Sequence, residues 1–495
     1  MRCSLLFLFP SLTIFKVHLW LIKLFGKPGR YDYKKAEKEL EAYHANPAVL
    51  DHLEKARNRM RRAVKGYPRD HPKTGLAYLT IANCGWTLAD RKSTFDNATL
   101  DPIITAAREA DDSWPQDDRE SPNYALLCAN TGTYYRTRYV NSKQEEDRNE
   151  ALRYHTKAWD IASKQESDDL TERHAINNQQ KSAAIELATT RRMICEVHCG
   201  TPEELGNVIK DLERALDKGD AKDRAHPVGL RELGIALELR ESLFPGRGDG
   251  HRSAITHFKK AIDLFEGRPH DQAVVLDRLA SALELQGSSG DFDEALGCLD
   301  RAIRLVGTQS SASSLRYRRA NLLWAQYSSK YASIQELETN SPTTLSSTEL
   351  GRTQKTTEPL RKAITDYEEA IKDLPSDQKI RALFNVSAIH FGLYSMPEAK
   401  EPGDWDLERA NEKGQMALDL WEKGGHPSIM VIEGEGRSLE KKALEELLDQ
   451  IREPRSPASP VSPATPAGRN PKRQNTLTAH TPVSARRPSV RVGSL

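Results

Sequence analysis

The stretch Ala363-Ile-Thr-Asp-Tyr-Glu-Glu-Ala-Ile-Lys-Asp-Leu-Pro375 decides the fold of this 495-residue chain. Ala363, Tyr367 and Ala370 are spaced four and then three residues apart, so they share one face of an α-helix. The two alanines let a neighbouring helix approach closely, and the tyrosine fills the remaining gap. Pro375 is predicted to end the helix, because proline lacks an N–H and disfavours helix in the residue before it.

The same pattern recurs along most of the chain, and successive copies begin 41 to 68 residues apart. A repeat of this length indicates stacked units that bury a continuous core. The eight copies are Ala56–Met60–Ala63, Ile103–Ala107–Ala110, Ala151–His155–Ala158, Val208–Leu212–Ala215, Ala254–Phe258–Ala261, Ala295–Leu299–Ala302, Ala363–Tyr367–Ala370 and Ala410–Gly414–Ala417.

A second helix-forming segment precedes each copy. The segments Ala82-Asn83-Cys84-Gly85 and Ala129-Asn130-Thr131-Gly132 lie 47 residues apart, which is the local repeat step. Good helix formers dominate throughout, and no sustained alternating run of β-branched residues occurs. We therefore predict an all-α fold, an α-solenoid of about eight helical hairpins over residues 33–453.

These motifs resemble the tetratricopeptide repeat (TPR) family, whose second helix carries A-x3-F-x2-A followed by proline. The first-helix motif W-x2-L-G-x2-Y is degenerate here, and Leu233-Gly234 keeps only its centre. The repeat steps exceed the family's 34 residues, so the chain is more similar to the lengthened repeats of large fungal TPR proteins. The resemblance covers about residues 45–430 and implies a right-handed superhelix that binds proteins.

The resemblance also suggests where a partner would bind. First helices of TPR arrays line a concave groove, where an asparagine can hydrogen-bond an extended peptide and basic residues can hold its side chains. Asparagine is disfavoured within helices, so an asparagine inside a predicted first helix is a candidate for a binding role. The candidate groove residues are Asn83, Asn130, Arg136, Arg138, Asn321 and Asn385. The alternative interpretation is that the asparagines bridge neighbouring hairpins.

Two segments depart from the repeat. Residues 333–357 are rich in Ser, Thr and Gln, and loops of that length are usually mobile or functional. Residues 436–453 form an amphipathic helix that we expect to cap the array, because terminal repeats need a polar outer face.

The N-terminal segment, residues 1–30, is strongly apolar between residues 5 and 25. Its uncharged part is shorter than a membrane span, and no small-x-small cleavage site follows. Three interpretations stay open: a signal anchor, a cleaved signal peptide, and an artefact or incidental helix. Basic residues predominate after the segment, so an anchored body would face the cytoplasm.

The C-terminal tail, residues 454–495, contains seven basic residues and no acidic residue. Removing those seven charges from the net +1 leaves −6 on the rest of the chain. The tail has too few apolar residues to fold, so we predict a disordered region. Its Ser-Pro, Thr-Pro and Arg-Arg-Pro-Ser sites are phosphorylation candidates: Ser456, Ser459, Ser462, Thr465, Thr481 and Ser489.

No pattern in the sequence indicates catalysis. Large relatives of the fungal arrays carry a caspase-like peptidase domain or a nucleotide-binding domain, but the last cysteine here is Cys298, inside a repeat, and no G-x4-G-K-[ST] segment occurs. The segment Cys195-Glu-Val-His198-Cys199 lacks a second Cys/His pair at zinc spacing. We expect no enzyme activity, no metal and no cofactor.

We therefore expect a cytoplasmic, non-enzymatic scaffold that binds a peptide or protein partner and is regulated through phosphorylation of its tail. The nearly neutral charge makes nucleic acid an unexpected partner. The alternatives are a membrane-anchored receptor or tether with a cytoplasmic body, and an enzyme or sensor subunit whose site is not recognisable.

Overall fold

A computed structural model describes residues 30–452, apart from residues 48, 70, 93, 219, 247–249, 288, 308–309, 341–356, 395–403 and 426–435. The described part consists of α-helices joined by short turns, and it contains no β-strand. By its internal packing the chain divides into two compact units, unit 1 to Asp271 and unit 2 from Gln272.

The helices alternate between first and second members of hairpins. The first helices are α1 (Arg30–Ala45), α3 (Pro72–Lys92), α5 (Pro122–Ser142), α7 (Leu170–His198), α9 (Ala225–Leu243), α11 (Pro269–Gln286), α13 (Ser310–Asn340), α15 (Ser376–Tyr394) and α17 (Gly436–Arg452). The second helices are α2 (Asp51–Lys65), α4 (Asn97–Asp112), α6 (Glu145–Ser163), α8 (Pro202–Leu216), α10 (Gly250–Leu264), α12 (Ser289–Val306), α14 (Thr357–Ala370) and α16 (Asp404–Leu420).

Local sequence explains where several helices begin. At α8, the Thr201 hydroxyl accepts from the Glu204 N–H, and the Glu204 carboxylate accepts from the Thr201 N–H. This reciprocal capping box satisfies two of the N–H groups that lack a partner within the helix. At α5, Ser121 caps the helix through the Tyr124 N–H, and Pro122 occupies the first helical turn.

The repeated triads form the buried face of the second helices, as the sequence predicts. All eight copies lie in α2, α4, α6, α8, α10, α12, α14 and α16. In α2, Ala56, Met60 and Ala63 are fully buried, and Ala363, Tyr367 and Ala370 are fully buried in α14. The all-α hairpin architecture predicted from the register is therefore confirmed.

Glycines on the first helices explain why the middle triad position can carry a bulky residue. A Cβ on Gly234 of α9 would lie 2.5 Å from Phe258 Cε1 on α10. A Cβ on Gly132 of α5 would lie 2.6 Å from the His155 ring on α6. These two hairpins therefore close around an aromatic side chain that packs directly on the backbone of the first helix.

Helix α17 packs against the preceding hairpin of unit 2. Leu444 and Leu448 are buried together with Leu383 of α15 and Ala417 of α16. The middle triad position of α16 is Gly414, and a Cβ there would lie 2.7 Å from Leu448 Cδ2. Leu448 thus fills the space that a bulky triad residue fills elsewhere.

Three segments singled out in the sequence lie partly or wholly outside the described residues. Helix α13 continues to Asn340, so residues 333–340 extend a helix and do not begin the expected loop. Residues 341–356 and the tail from residue 453 lie outside the described residues, as do residues 1–29.

Candidate partner-binding face

Half-buried polar, uncharged side chains follow one side of α3 and the adjoining side of α5. Thr80, Asn83 and Thr87 lie at helical spacing on α3, and Asn130 and Thr133 lie on α5. The threonine hydroxyls donate to carbonyls one turn back in their own helices, as in Thr80 to Leu76 at 2.8 Å. We call these five residues the polar stripe. Its oxygen and nitrogen atoms offer hydrogen bonds without a net charge.

Asn83 and Asn130 contact each other at the centre of the polar stripe. Asn130 Nδ2 donates to Asn83 Oδ1 at 3.1 Å, and the Tyr134 hydroxyl donates to the same oxygen at 2.7 Å. Among the described residues, neither Asn83 Nδ2 nor Asn130 Oδ1 has a hydrogen-bond partner. The pair therefore bridges two hairpins and still leaves one donor and one acceptor.

Unit 2 contains a matching arrangement on α13 and α15. Asn385 Nδ2 donates to Asn321 Oδ1 at 3.2 Å, and the Tyr367 hydroxyl donates to the same oxygen at 2.5 Å. Asn385 is only 5% exposed, so this pair lies deeper than the pair in unit 1. The two pairs belong to different units, each with its own tyrosine.

Arg136 of α5 is buried against α7 and does not belong to the polar stripe. Its Nη1 donates to Thr190 Oγ1 at 3.1 Å and to the Glu186 carbonyl at 3.2 Å. Its Nη2 lies 2.8 Å from Glu186 Oε2, in an orientation that makes an ion pair without a directed hydrogen bond. The guanidinium is 1% exposed and is committed to contacts within the chain.

A second buried charged group joins α7 to α9. Arg192 Nε donates to Glu232 Oε2 at 3.0 Å, and Arg231 donates to Glu232 Oε1 through Nε and Nη2. Burial alone would raise the pKa of Glu232, but Arg192 and Arg231 outweigh it and lower the pKa to about 2. Sequence reasoning missed this group; its one signal is a charged Arg-Glu pair inside the apolar run of α9.

Arg138 lies on the other side of α5, towards the second helices. It forms ion pairs with Asp147 of α6 at 2.6 Å and with Asp101 of α4 at 2.7 Å. The hydrogen bond to Asp147 raises the pKa of Arg138 above its ordinary value. The structure therefore separates the two arginines that the sequence grouped with the asparagines.

The remaining predicted sites have no described geometry. Ser456, Ser459, Ser462, Thr465, Thr481 and Ser489 all lie outside the described residues. In the described ranges, no three His, Cys, Asp or Glu side chains come together as a metal would require. Within those ranges, too, no helix combines the length and apolar character needed to cross a bilayer.

Comparison with known proteins identifies distant structural likenesses. No family model and no curated protein matches the chain. A human IFIT1 dimer with PPP-AAAA is 13% identical, with 81% of this chain and 69% of that chain covered and a TM-score of 0.42. A Rap protein complexed with Competence and Sporulation Factor is 10% identical and has a TM-score of 0.37; the match covers 85% of this chain and 98% of that chain. Yeast Tom70 is 11% identical and has a TM-score of 0.17; the match covers 86% of this chain and 98% of that chain.

Likenesses this distant carry no argument about binding or activity. The fold is established by the hairpins themselves, which form an all-α, TPR-like array whose second helices bury the repeated triads. The fold alone does not identify a binding partner.

Proposed function

We propose that the chain is a non-enzymatic scaffold that binds an extended peptide segment of a partner protein along the polar stripe. The observation that supports this is the Asn83–Asn130 pair, which has one donor and one acceptor without partners among the described residues. An extended peptide presents backbone C=O and N–H groups that need such partners. Asn83 Nδ2 would donate to the peptide carbonyl, and Asn130 Oδ1 would accept from its N–H.

The charge distribution around the polar stripe also favours recognition of a peptide backbone. Stripe residues carry no charge, and Arg136, Arg192 and Arg231 on α5, α7 and α9 have carboxylate partners within the chain. Capturing an anionic partner there would require breaking buried ion pairs, which costs several kcal/mol each. The first-helix side of unit 1 therefore suits an uncharged, extended segment better than a polyanion.

The test is affinity capture with the full chain, comparing Asn130→Ala with Tyr134→Phe. Asn130→Ala removes the open acceptor, whereas Tyr134→Phe removes a hydrogen bond to Asn83 and leaves both open amide atoms. Asn83→Ala is a poorer choice, because it would deprive the buried Tyr134 hydroxyl of its acceptor. We expect a reproducible partner to be lost with Asn130→Ala and retained with Tyr134→Phe.

Melting temperatures of both variants must accompany the capture. A partner retained by Asn130→Ala would place the interface elsewhere. Equal partner loss in both variants, together with equal losses in melting temperature, would assign the asparagine pair a purely structural role.

We further propose that the scaffold is cytoplasmic and that phosphorylation of its tail regulates binding. Both proposals are supported by the sequence alone. The Ser-Pro and Thr-Pro sites support regulation by phosphorylation, and the basic residues after the apolar N-terminal segment support a cytoplasmic location. Each phosphate adds about −1.5 to −2 charges, so a few would cancel the basic tail. Cell fractionation tests the location: a salt-resistant membrane pellet that disappears on deletion of residues 1–30 would support the tether alternative.

A further inference from the structure

A cleft of about 280 Å³ lies between α2 and α4, on the side of unit 1 formed by the second helices. Arg57 and Arg61 of α2 line it from one side. Ile81 and Gly85 of α3 and the first turns of α4 complete it. The polar stripe does not contribute to this lining, so the cleft is a separate feature.

Arg57 occupies a position where six of the other seven repeats carry an apolar residue. It directly follows the first residue of its triad, and the corresponding residues of the other seven copies are Ile104, Leu152, Ile209, Ile255, Leu296, Ile364 and Asn411. Six of the eight repeats thus carry Ile or Leu where the first carries a guanidinium. A cation at a packing position costs stability unless something compensates it.

No carboxylate within the described residues compensates this charge. Arg57 Nε is buried and has no hydrogen-bond partner there, and neither Arg57 nor Arg61 forms an ion pair in the described part of the chain. The nearby acids have other partners: Asp51 with Lys55, Glu54 with Lys92, Asp101 with Arg138, and Asp96 with the Thr99 N–H.

Arg57 and Arg61 are one helical turn apart, so their guanidinium groups project from the same side of α2. Arg57 is half-buried and Arg61 is exposed at the mouth of the cleft. Partial burial and the neighbouring Arg57 charge lower the pKa of Arg61. Two unneutralised guanidiniums provide a divalent positive site with forked donors that match phosphate oxygens.

We propose that this cleft binds the phosphate monoester of a phosphorylated serine or threonine side chain on a partner protein. A dianionic phosphate neutralises both arginines, whereas a carboxylate neutralises one. The cleft is smaller than typical small-molecule pockets, and Ile81, Pro102 and Ile103 give it an apolar wall for the side chain's carbon atoms. Nucleic acid binding would need a longer basic track, and no aromatic ring lines the cleft for base stacking.

The test is calorimetric titration of the full chain with N-acetyl-O-phospho-L-threonine amide and with its unphosphorylated form. Arg57→Leu introduces a residue that two other repeats carry at this position, so the variant should fold and melt at or above the wild-type temperature in phosphate-free buffer. We expect binding of the phosphorylated probe to weaken about tenfold or more in Arg57→Leu and Arg61→Gln. Arg62→Gln is the matched control, because Arg62 pairs with Asp32 outside the cleft.

Several outcomes would overturn the proposal. Equal binding of the two probes would remove the role of phosphate, and an equal loss in Arg62→Gln would show only a general charge effect. Inorganic phosphate that binds as tightly as the threonine probe would assign the cleft to free phosphate. Displacement of the probe by a short single-stranded RNA at equal concentration would overturn the assignment to a protein side chain.

Discussion

The side chains that most need explanation in unit 1 are charged ones in its interior. Arg231 and Glu232 stand in the middle of an apolar helix, and Arg192 approaches them from α7. Replacing such a group by apolar residues is often neutral, whereas removing one partner strands a buried charge. Glu232 is the carboxylate that both arginines share, so the stability of this region depends on it.

At the residue scale, we predict that Glu232→Gln destabilises the protein by about 3 kcal/mol at pH 7. The depressed pKa means that the wild-type carboxylate contributes stability above about pH 4.5, the ordinary glutamate value, and loses it as the pH falls towards about 2. The difference between wild type and variant should therefore shrink across that interval. Urea unfolding at a series of pH values measures it.

Glu196→Gln is the control for this experiment, because Glu196 pairs with the same Arg192 from a more exposed position. Its variant should lose much less stability. A Glu232→Gln penalty that stays constant from pH 7 to pH 3 would contradict the assignment of the low pKa.

At the scale of the element, the α9–α10 hairpin closes because the Phe258 ring packs directly against Gly234. We predict that Gly234→Ala costs about 1–3 kcal/mol, because its Cβ would lie 2.5 Å from Phe258. Phe258→Leu should relieve the clash, so the double variant should be more stable than the sum of the single effects. Thermal unfolding of the four proteins measures the coupling.

Gly206→Ala in α8 is the control, because this substitution is expected to raise the stability and not to lower it. Outside the neighbouring residues and the backbone of its own helix, no atom lies within 4 Å of a Cβ built there, so Gly206→Ala should stabilise the helix by about 1 kcal/mol. A Gly234→Ala variant that behaves like Gly206→Ala would show that α9 and α10 are not in close contact at this point.

At the scale of the whole molecule, the hairpins within each unit pack mainly on their neighbours in sequence, which is the arrangement of a one-dimensional array. The effect of a destabilising substitution should therefore decrease with the number of hairpins between it and the helix in which the effect is measured. We predict that Glu232→Gln increases hydrogen exchange in α7–α10 and leaves α14–α16 unchanged, as measured by mass spectrometry. Uniform loss of protection would contradict this view.

The sequence predicts the second helices well, because their triads report burial directly. Ala56, Met60 and Ala63 could be assigned to a buried face from spacing alone. The sequence could not show that Arg136 and Arg138 point to different sides of α5, because their partners Glu186 and Asp147 lie on different neighbouring helices. The open amide atoms of Asn83 and Asn130 also depend on how two hairpins align, which no local pattern encodes.

Leu448 over Gly414 has a consequence for self-association. In a stack of similar units, an uncovered end is a growth site where a hairpin of another copy could dock as the next repeat does. Helix α17 occupies that surface on the last described hairpin from within the same chain. Intramolecular termination of this kind covers such an end without relying on concentration, and removal of α17 would uncover the apolar surface that contains Leu383 and Ala417.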